Sequence, residues 1–422
     1  MEITNKYKNR KLYNWFIFSL SLIFFSRIFD VIGIPSVINF VHYGVFATIW
    51  IVILFRNYRK VDLITIKLLI LLIIVFCSSL VNSVSIVNAF LEFLLLSQPF
   101  IIMIIYYKLD NPKKIQLESY LLLVAKINMV FSYIQYFLLG KTGDEIKGIF
   151  LNMGAGHHVN GAIALIVAMY LLWSRKLSIK IIIYSLAQLT IVFLCDNKQS
   201  IAALLISSLI LFVINIFNIK KILKLGTLVT FLFVIIYFIG VYIYPPLFTW
   251  ITMTKITGGL LAKFAIFDYL NGFASGWENV IFGYGPGMTA GRLAQVLTAY
   301  PVLYNSIASY PRYIESIMNF QQSNWMTNTI SGSSFWSIIF SWSGVYGDLG
   351  WLGIMIIAGL YVNVLRKYCF NNFSKLIVIS LVVHGFVFQW LEEPAFAAFY
   401  ILICLLANED NARKYKEALN VK

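Results

Sequence analysis

Long apolar runs follow one another through most of this chain, separated by short connections rich in lysine and arginine. A helix needs about 20 apolar residues to cross a hydrocarbon core, and in lipid only helices and closed barrels satisfy every backbone polar group. Runs that meet or approach that length lie at 12–29, 37–55, 62–81, 84–107, 117–139, 159–173, 180–195, 200–217, 225–244, 347–365, 375–391 and 395–407. They predict an all-α fold, a polytopic transmembrane helical bundle of about 12 spans. Only 12% of the 422 residues are charged, against 60% hydrophobic, whereas a water-soluble chain carries about a quarter of its residues charged. Lipid must therefore solvate most of the chain. The first run is long for a signal-peptide core and lacks a clear small-x-small cleavage site, which predicts a retained helix.

Charge then orients the bundle. With the N-terminus inside, the inner connections carry Lys6, Lys8, Arg10 and Lys11; Arg56, Arg59 and Lys60; Lys108, Lys113 and Lys114; Arg175, Lys176 and Lys180; Lys220, Lys221 and Lys224; Arg366, Lys367 and Lys375; and Arg413, Lys414, Lys416 and Lys422. The short outer connections are mostly not basic, so the positive-inside rule predicts both termini in the cytoplasm. The formal net charge of +15 thus marks orientation in a membrane; scattered between apolar runs, it builds no face for nucleic acid. The four cysteines, Cys77, Cys195, Cys369 and Cys404, have no disulfide-framework or zinc spacing.

One outer connection, roughly 244–346, is far longer than the rest, which divides the chain into helices 1–9 (1–244), a large external loop (245–346) and helices 10–12 with a tail (347–422). Long connections in compact proteins are usually functional or disordered, and this one is too rich in Trp, Tyr, Phe and Ile for disorder. Leu260, Leu261, Phe264, Phe267 and Leu270 recur at helical spacing, as do apolar residues in 293–303. Both patterns predict amphipathic helices lying on the bilayer or on the bundle. Gly283, Gly285, Pro286 and Gly287 predict a turn between them.

The scarce outer charges are the candidates for chemistry. Lys263, Arg292 and Arg312 lie in the long loop, and Lys198 lies in the short loop before the eighth span. Guanidinium groups pair phosphate oxygens bidentately and Lys adds a point charge, so the set suits a lipid-linked pyrophosphate. Each taken alone also fits a snorkelling or structural cation. The outer acids include Asp268, Glu278, Glu315, Asp348, Glu392 and Glu393. Any of them could act as a general base, while an ion pair that orients an Arg is the plainer reading; Glu315 stands at helical spacing from Arg312. The adjacent His157 and His158 are expected on different helix faces and match no zinc pattern. No Asp-x-Asp occurs in an external loop, so any glycosyl transfer is expected to be metal-independent. Lys67, Glu92 and Lys126 fall inside apolar runs, where ionisable groups mark a pathway or an ion pair; Glu92 and Lys126 are candidates for such a pair.

The stretch Trp277-Glu278-Asn279-Val280-Ile281-Phe282-Gly283-Tyr284-Gly285-Pro286-Gly287 resembles a turn in the major periplasmic loop of the O-antigen polymerase and ligase group. Gly347-Asp348-Leu349-Gly350-Trp351-Leu352-Gly353 looks like that group's acidic start of the next span, and the stretch from Asn197 to Leu205 like its Ser-Arg opening of a helix, with Lys198 for Arg. Lys263 likewise stands where the group often has Arg. Ligases of the group usually carry a His in the long loop, but the stretch Ser333-Ser334-Phe335-Trp336 holds none, which favours the Wzy-type repeat-unit polymerases. The resemblance implies glycosyl transfer on the periplasmic face of a bacterial inner membrane, in O-antigen or capsule synthesis. A chain on undecaprenyl diphosphate would pass its reducing-end sugar to a new lipid-linked repeat unit. It implies Arg292, Arg312, Glu315 and Asp348 as catalytic candidates, and Lys198, Lys263, Trp277, Tyr284 and Gly285 as substrate-binding ones. Tyr300, Tyr304 and Tyr310 join Trp277 and Tyr284 as possible sugar platforms. No cofactor is implied. The implied partners are undecaprenyl-diphosphate-linked glycans, the lipid bilayer, and a chain-length regulator and flippase of the same pathway. Two other functions stay open, a lipid-linked oligosaccharide flippase and an O-antigen ligase.

Overall fold

The computed structural model describes residues 2–33, 38–56, 62–151, 153, 155–175, 177–215, 230, 234, 237–238, 241–242, 253–299, 307–327 and 336–420. Most of the ninth predicted span lies outside these residues, as do Arg59, Lys60, Lys176, Lys220, Lys221, Lys224, Tyr300, Tyr304, 333–335 and Lys422. The described residues form helices and contain no strand. In chain order they are α1 (Glu2–Val31), α2 (Ile38–Arg56), α3 (Leu63–Val81), α4 (Ile86–Lys108), α5 (Asn111–Phe137), α6 (Gly156–Ser174), α7 (Ile179–Leu194) and α8 (Lys198–Ile214). There follow α9 (Met253–Asn271), α10 (Trp277–Phe282), α11 (Arg292–Ala299), α12 (Ile314–Thr327), α13 (Ser341–Lys367), α14 (Asn372–Val387) and α15 (Pro394–Asn420). Short polar residues start many of them. Asp62, Ser85, Asp110, Asn197 and Asn371 each accept a hydrogen bond from an N–H of the first turn they precede, satisfying donors the helix cannot.

Among the described residues, six helices are long and apolar enough to cross a membrane: Lys11–Phe29 within α1, and α3, α4, α5, α6 and α13. α7 and α8 pass that test only together, bent by 115° at the turn between them, and α2, α14 and α15 contain shorter apolar stretches. The chain is a helical membrane protein. Its centre is α15, in which every residue from 395 to 407 is buried. An apolar helix without a polar face must be enclosed on all sides, and α15 packs against α1, α4, α5, α6 and α14. α4 and α6 are almost as enclosed, while α1, α3 and α5 leave Trp15, Leu80 and Phe137 among the exposed apolar residues. Such a surface calls for lipid.

Polar contacts gather at two ends. At one, Lys114 pairs with Glu409 at 2.5 Å, Arg175 pairs with Glu118, and Asn371 Nδ2 donates to Ala407 O at 3.1 Å. At the other, Asn82 Nδ2 donates to Gly283 O at 3.0 Å, Ser85 Oγ to Ile307 O at 2.7 Å, and Gln389 Nε2 to Ala290 O at 2.6 Å. Gly283, Ala290 and Ile307 therefore lie against the end formed by 82–85 and 388–393.

Four expectations need correction. The helix of the predicted tenth span starts at Ser341, six residues before the expected 347, and the Phe340 N–H donates to Ser343 Oγ at that start. It is broken at Gly350, where φ is 63° and ψ −159°. α9 is rotated from the predicted stripe: Leu261 is 76% exposed, and Ala262, Lys263, Ile266 and Leu270 form its buried face. Glu92 forms no ion pair with Lys126, which lies exposed on α5, and its carboxyl is buried on α4. The rings of His157 and His158 do not diverge; their centroids lie 3.8 Å apart.

Candidate functional site

Gly283, Gly285 and Gly287 all have positive φ, of 74°, 105° and 69°, a region that L side chains rarely enter. A Cβ at Gly283 would also strike the backbone of Asp348 and Leu349. The glycine turn can therefore lie directly on α13: Tyr284 N donates to Gly347 O at 2.7 Å and Gly285 N to Asp348 O at 3.2 Å. The next N–H groups then converge on one carboxylate. Gly287 N donates to Asp348 Oδ2 at 3.1 Å, while Met288 N and Thr289 N donate to Oδ1 at 3.1 and 2.8 Å, and the Thr289 hydroxyl donates to Oδ1 at 2.6 Å. Successive N–H groups so arranged make an anion-binding nest, and here the anion is the protein's own. Four donors occupy Asp348. Its geometry fixes the turn.

Past the nest, the chain squeezes between α13 and the 388–393 turn at Gly291. A Cβ there would lie 2.6 Å from Asp348 Oδ2 and 3.8 Å from Glu392 Oε2. α11 then opens at Arg292. Its backbone N–H donates to Glu392 Oε2 at 2.6 Å, and its guanidinium pairs with Glu393. Pro394 begins α15 and restricts the residue before it to extended conformations; Glu393 has φ −81° and ψ 112°. Glu392, on the preceding 3₁₀ turn, is 2% exposed. Burial pushes its carboxyl up to about 8; the Arg292 N–H opposes that rise and Asp348 adds to it. Glu92 of α4 is close enough to interact electrostatically with both Asp348 and Glu392. Three buried carboxyls from separate elements thus lie near one another, with the Arg292–Glu393 pair beside them.

The remaining candidates sit around this centre in different ways. Tyr284 is buried, its hydroxyl donating to Leu270 O and its ring packed on Tyr313 at 5.3 Å. Gly285 lies against Val84 and Asn82. Trp277, at the start of α10, is 65% exposed. Arg312 reaches Ser83 O at 3.3 Å, and Glu315 accepts from the Tyr310 hydroxyl at 2.7 Å, so these two neighbours take different partners. Lys263 donates to Ser337 O at 2.6 Å and to Val387 O at 3.0 Å, over the Phe340 ring. Burial holds its ammonium well below the usual lysine range. Lys198 pairs with Asp196 at 3.0 Å, on the turn where Asn197 Nδ2 donates to His158 O at 2.8 Å. The His158 ring in turn lies 5.8 Å from Trp390, two residues before Glu392.

The structure brings Asp348, Tyr284, Gly285 and Arg292 together in one contact network. It adds Glu392, Glu393, Glu92 and Gln389, which the sequence reading left outside its site. Two consecutive acids before a proline, in a chain with only 18 Asp and Glu, were the available signal. Among the described residues no group of three His, Cys, Asp or Glu could hold a metal ion. No family model matches the chain, and no curated protein matches it.

Proposed function

We propose that the chain is a membrane glycosyltransferase that polymerises undecaprenyl-diphosphate-linked repeat units in O-antigen or capsule synthesis. On this reading it has twelve spans with both termini in the cytoplasm of a bacterial inner membrane, and residues 245–346 form a periplasmic loop. The observation that carries the proposal is the glycine turn docked on Asp348, which delivers Arg292 to Glu392 and Glu393 at one end of the bundle. A guanidinium there can neutralise a leaving diphosphate, and a neighbouring carboxylate can take a proton, with no metal or cofactor required. Lys198, near the site through His158 and Trp390, suits the same anion. Arg312 and Lys263 support the reading differently, by tethering the loop to Ser83 and to the α14 end.

The test is glycan length on the surface of a strain lacking this gene and complemented with variants. Wild type should restore long chains, and Arg292→Ala, present in the membrane at normal level, should give chains one repeat long. Long chains with Arg292→Ala would overturn the proposed role of Arg292. The buried Glu92 gives some support to a second reading, a transporter of lipid-linked oligosaccharide, because ionisable groups inside a membrane bundle often mark a pathway. That reading predicts no surface glycan in the deletion strain. A ligase would instead leave full-length chains on the carrier lipid.

A further inference from the structure

Three buried side-chain oxygens around the Asp348–Glu392 centre are short of donors. Glu392 Oε1, Glu92 Oε2 and Gln389 Oε1 form no hydrogen bond with any described residue, and all three side chains are almost fully buried. The Ser341 hydroxyl donates to Phe388 O at 3.3 Å and also comes within hydrogen-bonding reach of Glu392, where it opposes the rise of that carboxyl. The other halves of two of these groups are fixed: Glu392 Oε2 by the Arg292 N–H, and the Gln389 amide by Ala290 O. Buried polar atoms are nearly always satisfied, so a donor-rich group belongs here. Anions are excluded by two carboxyls and an amide oxygen, and a metal would need a fuller donor set than these residues supply. Hydroxyl groups of a sugar would supply those donors.

We infer that Glu392 is the base that takes the proton from the acceptor sugar's hydroxyl, with Glu92 and Gln389 holding other hydroxyls of that sugar. The inference rests on the glycosyl-transfer reading above. In the step, the acceptor O–H bond breaks and its proton goes to Glu392 Oε1. The oxygen's electron pair forms the new bond to the anomeric carbon of the donor sugar. The bond from that carbon to the diphosphate oxygen breaks, and the diphosphate leaves with its electron pair toward Arg292. One guanidinium nitrogen already binds Glu393, and the other donors of the fork serve the phosphate oxygens. Glu393 holds Arg292 in place and is a positioning residue. A carboxyl raised to about 8 by burial suits a base working near neutral pH. The charged and titratable groups that act on it are Arg292 of α11, Asp348 and Tyr361 of α13, Glu92 of α4, Tyr43 of α2 and its neighbour Glu393.

The probe is the single-repeat lipid-linked oligosaccharide that accumulates in the deletion strain, given to the purified full-length protein in detergent. Glu392→Gln should lose about 100-fold or more in turnover, the usual scale for a general base, while binding the probe as wild type does. Glu92→Gln and Gln389→Ala should raise KM more than they lower kcat. The wild-type rate should rise through about pH 8 as Glu392 ionises, and Glu392→Asp should shift that limb. Wild-type turnover by Glu392→Gln, or a rate flat across that limb, would overturn the assignment. A wild-type protein that binds the probe but never lengthens it would overturn the glycosyl-transfer reading itself.

Discussion

Asp348 accepts from three backbone N–H groups and one hydroxyl, all within four residues of Gly285. Removing a buried acceptor costs more than forming it yields, because the orphaned donors stay desolvated, at about 1–3 kcal/mol each. Asp348→Asn keeps an oxygen for the three donors on Oδ1 but turns an NH₂ toward Gly287 N. It should cost about one such increment, and Asp348→Ala, which orphans all four donors, several. Thermal unfolding in detergent should rank wild type above Asp348→Asn and Asp348→Ala lowest, and an Ala variant as stable as wild type would sink the nest. Gly283, Gly285 and Gly287 were legible as a turn because positive φ leaves a mark in residue choice. What the turn wraps was not legible, since Asp348 lies about 60 positions on and nothing local ties the two. The same gap hid the contacts of Glu392 and Glu393 with Arg292. Spacing suggested Arg312 with Glu315, yet the guanidinium that pairs with an acid here is Arg292, with Glu393 across the fold. Ion pairs between distant segments leave no periodic signal.

Among the elements, run length foretold a helical, membrane-embedded chain, because crossing lipid demands length and apolarity that composition must supply. It foretold less about helix faces. In a bundle with lipid outside and apolar side chains inside, hydrophobicity barely distinguishes the two, so small residues mark the contacts instead. Gly161 of α6 is such a residue: a Cβ there would lie 2.6 Å from Asn197 Cβ and 2.7 Å from Cys195 Sγ. It lets α6 reach the turn that carries Lys198. Gly161→Val should therefore overpack this contact, costing about 1–3 kcal/mol and moving Lys198 away from the Trp390 side. Gly44, in the middle of α2, has nothing within 4 Å of an added Cβ. Gly44→Ala should be stabilising by about 0.5–1 kcal/mol, the entropy that helical glycine otherwise loses. Unfolding temperatures for the two variants should move in opposite directions. A Gly161→Val protein as stable as wild type would show that α6 and the turn are not closely packed.

For the molecule as a whole, the two ends differ in chemistry as well as in architecture. Lys108, Lys113, Lys114, Arg175, Arg366 and Lys367 lie toward the end where Glu118 and Glu409 form ion pairs. The opposite end holds the glycine turn and the Arg292–Glu393 pair, in segments with far fewer cations. Lys and Arg are retained on the cytoplasmic side during insertion because moving them across is costly. The end with the candidate site should then face away from the cytoplasm, where a lipid-linked glycan would have to arrive already flipped. Cysteine accessibility decides this. Trp277 is exposed at the site end and Lys108 is exposed at the other, while Cys195, Cys369 and Cys404 are buried and Cys77 is half-buried in α3. With Cys77 replaced by Ser, a membrane-impermeant maleimide should label Trp277→Cys in intact spheroplasts and Lys108→Cys only after the membrane is opened. The reverse pattern would put Arg292 and Glu392 on the cytoplasmic face, where the assembly of the repeat unit, and not its polymerisation, would be the chemistry to look for.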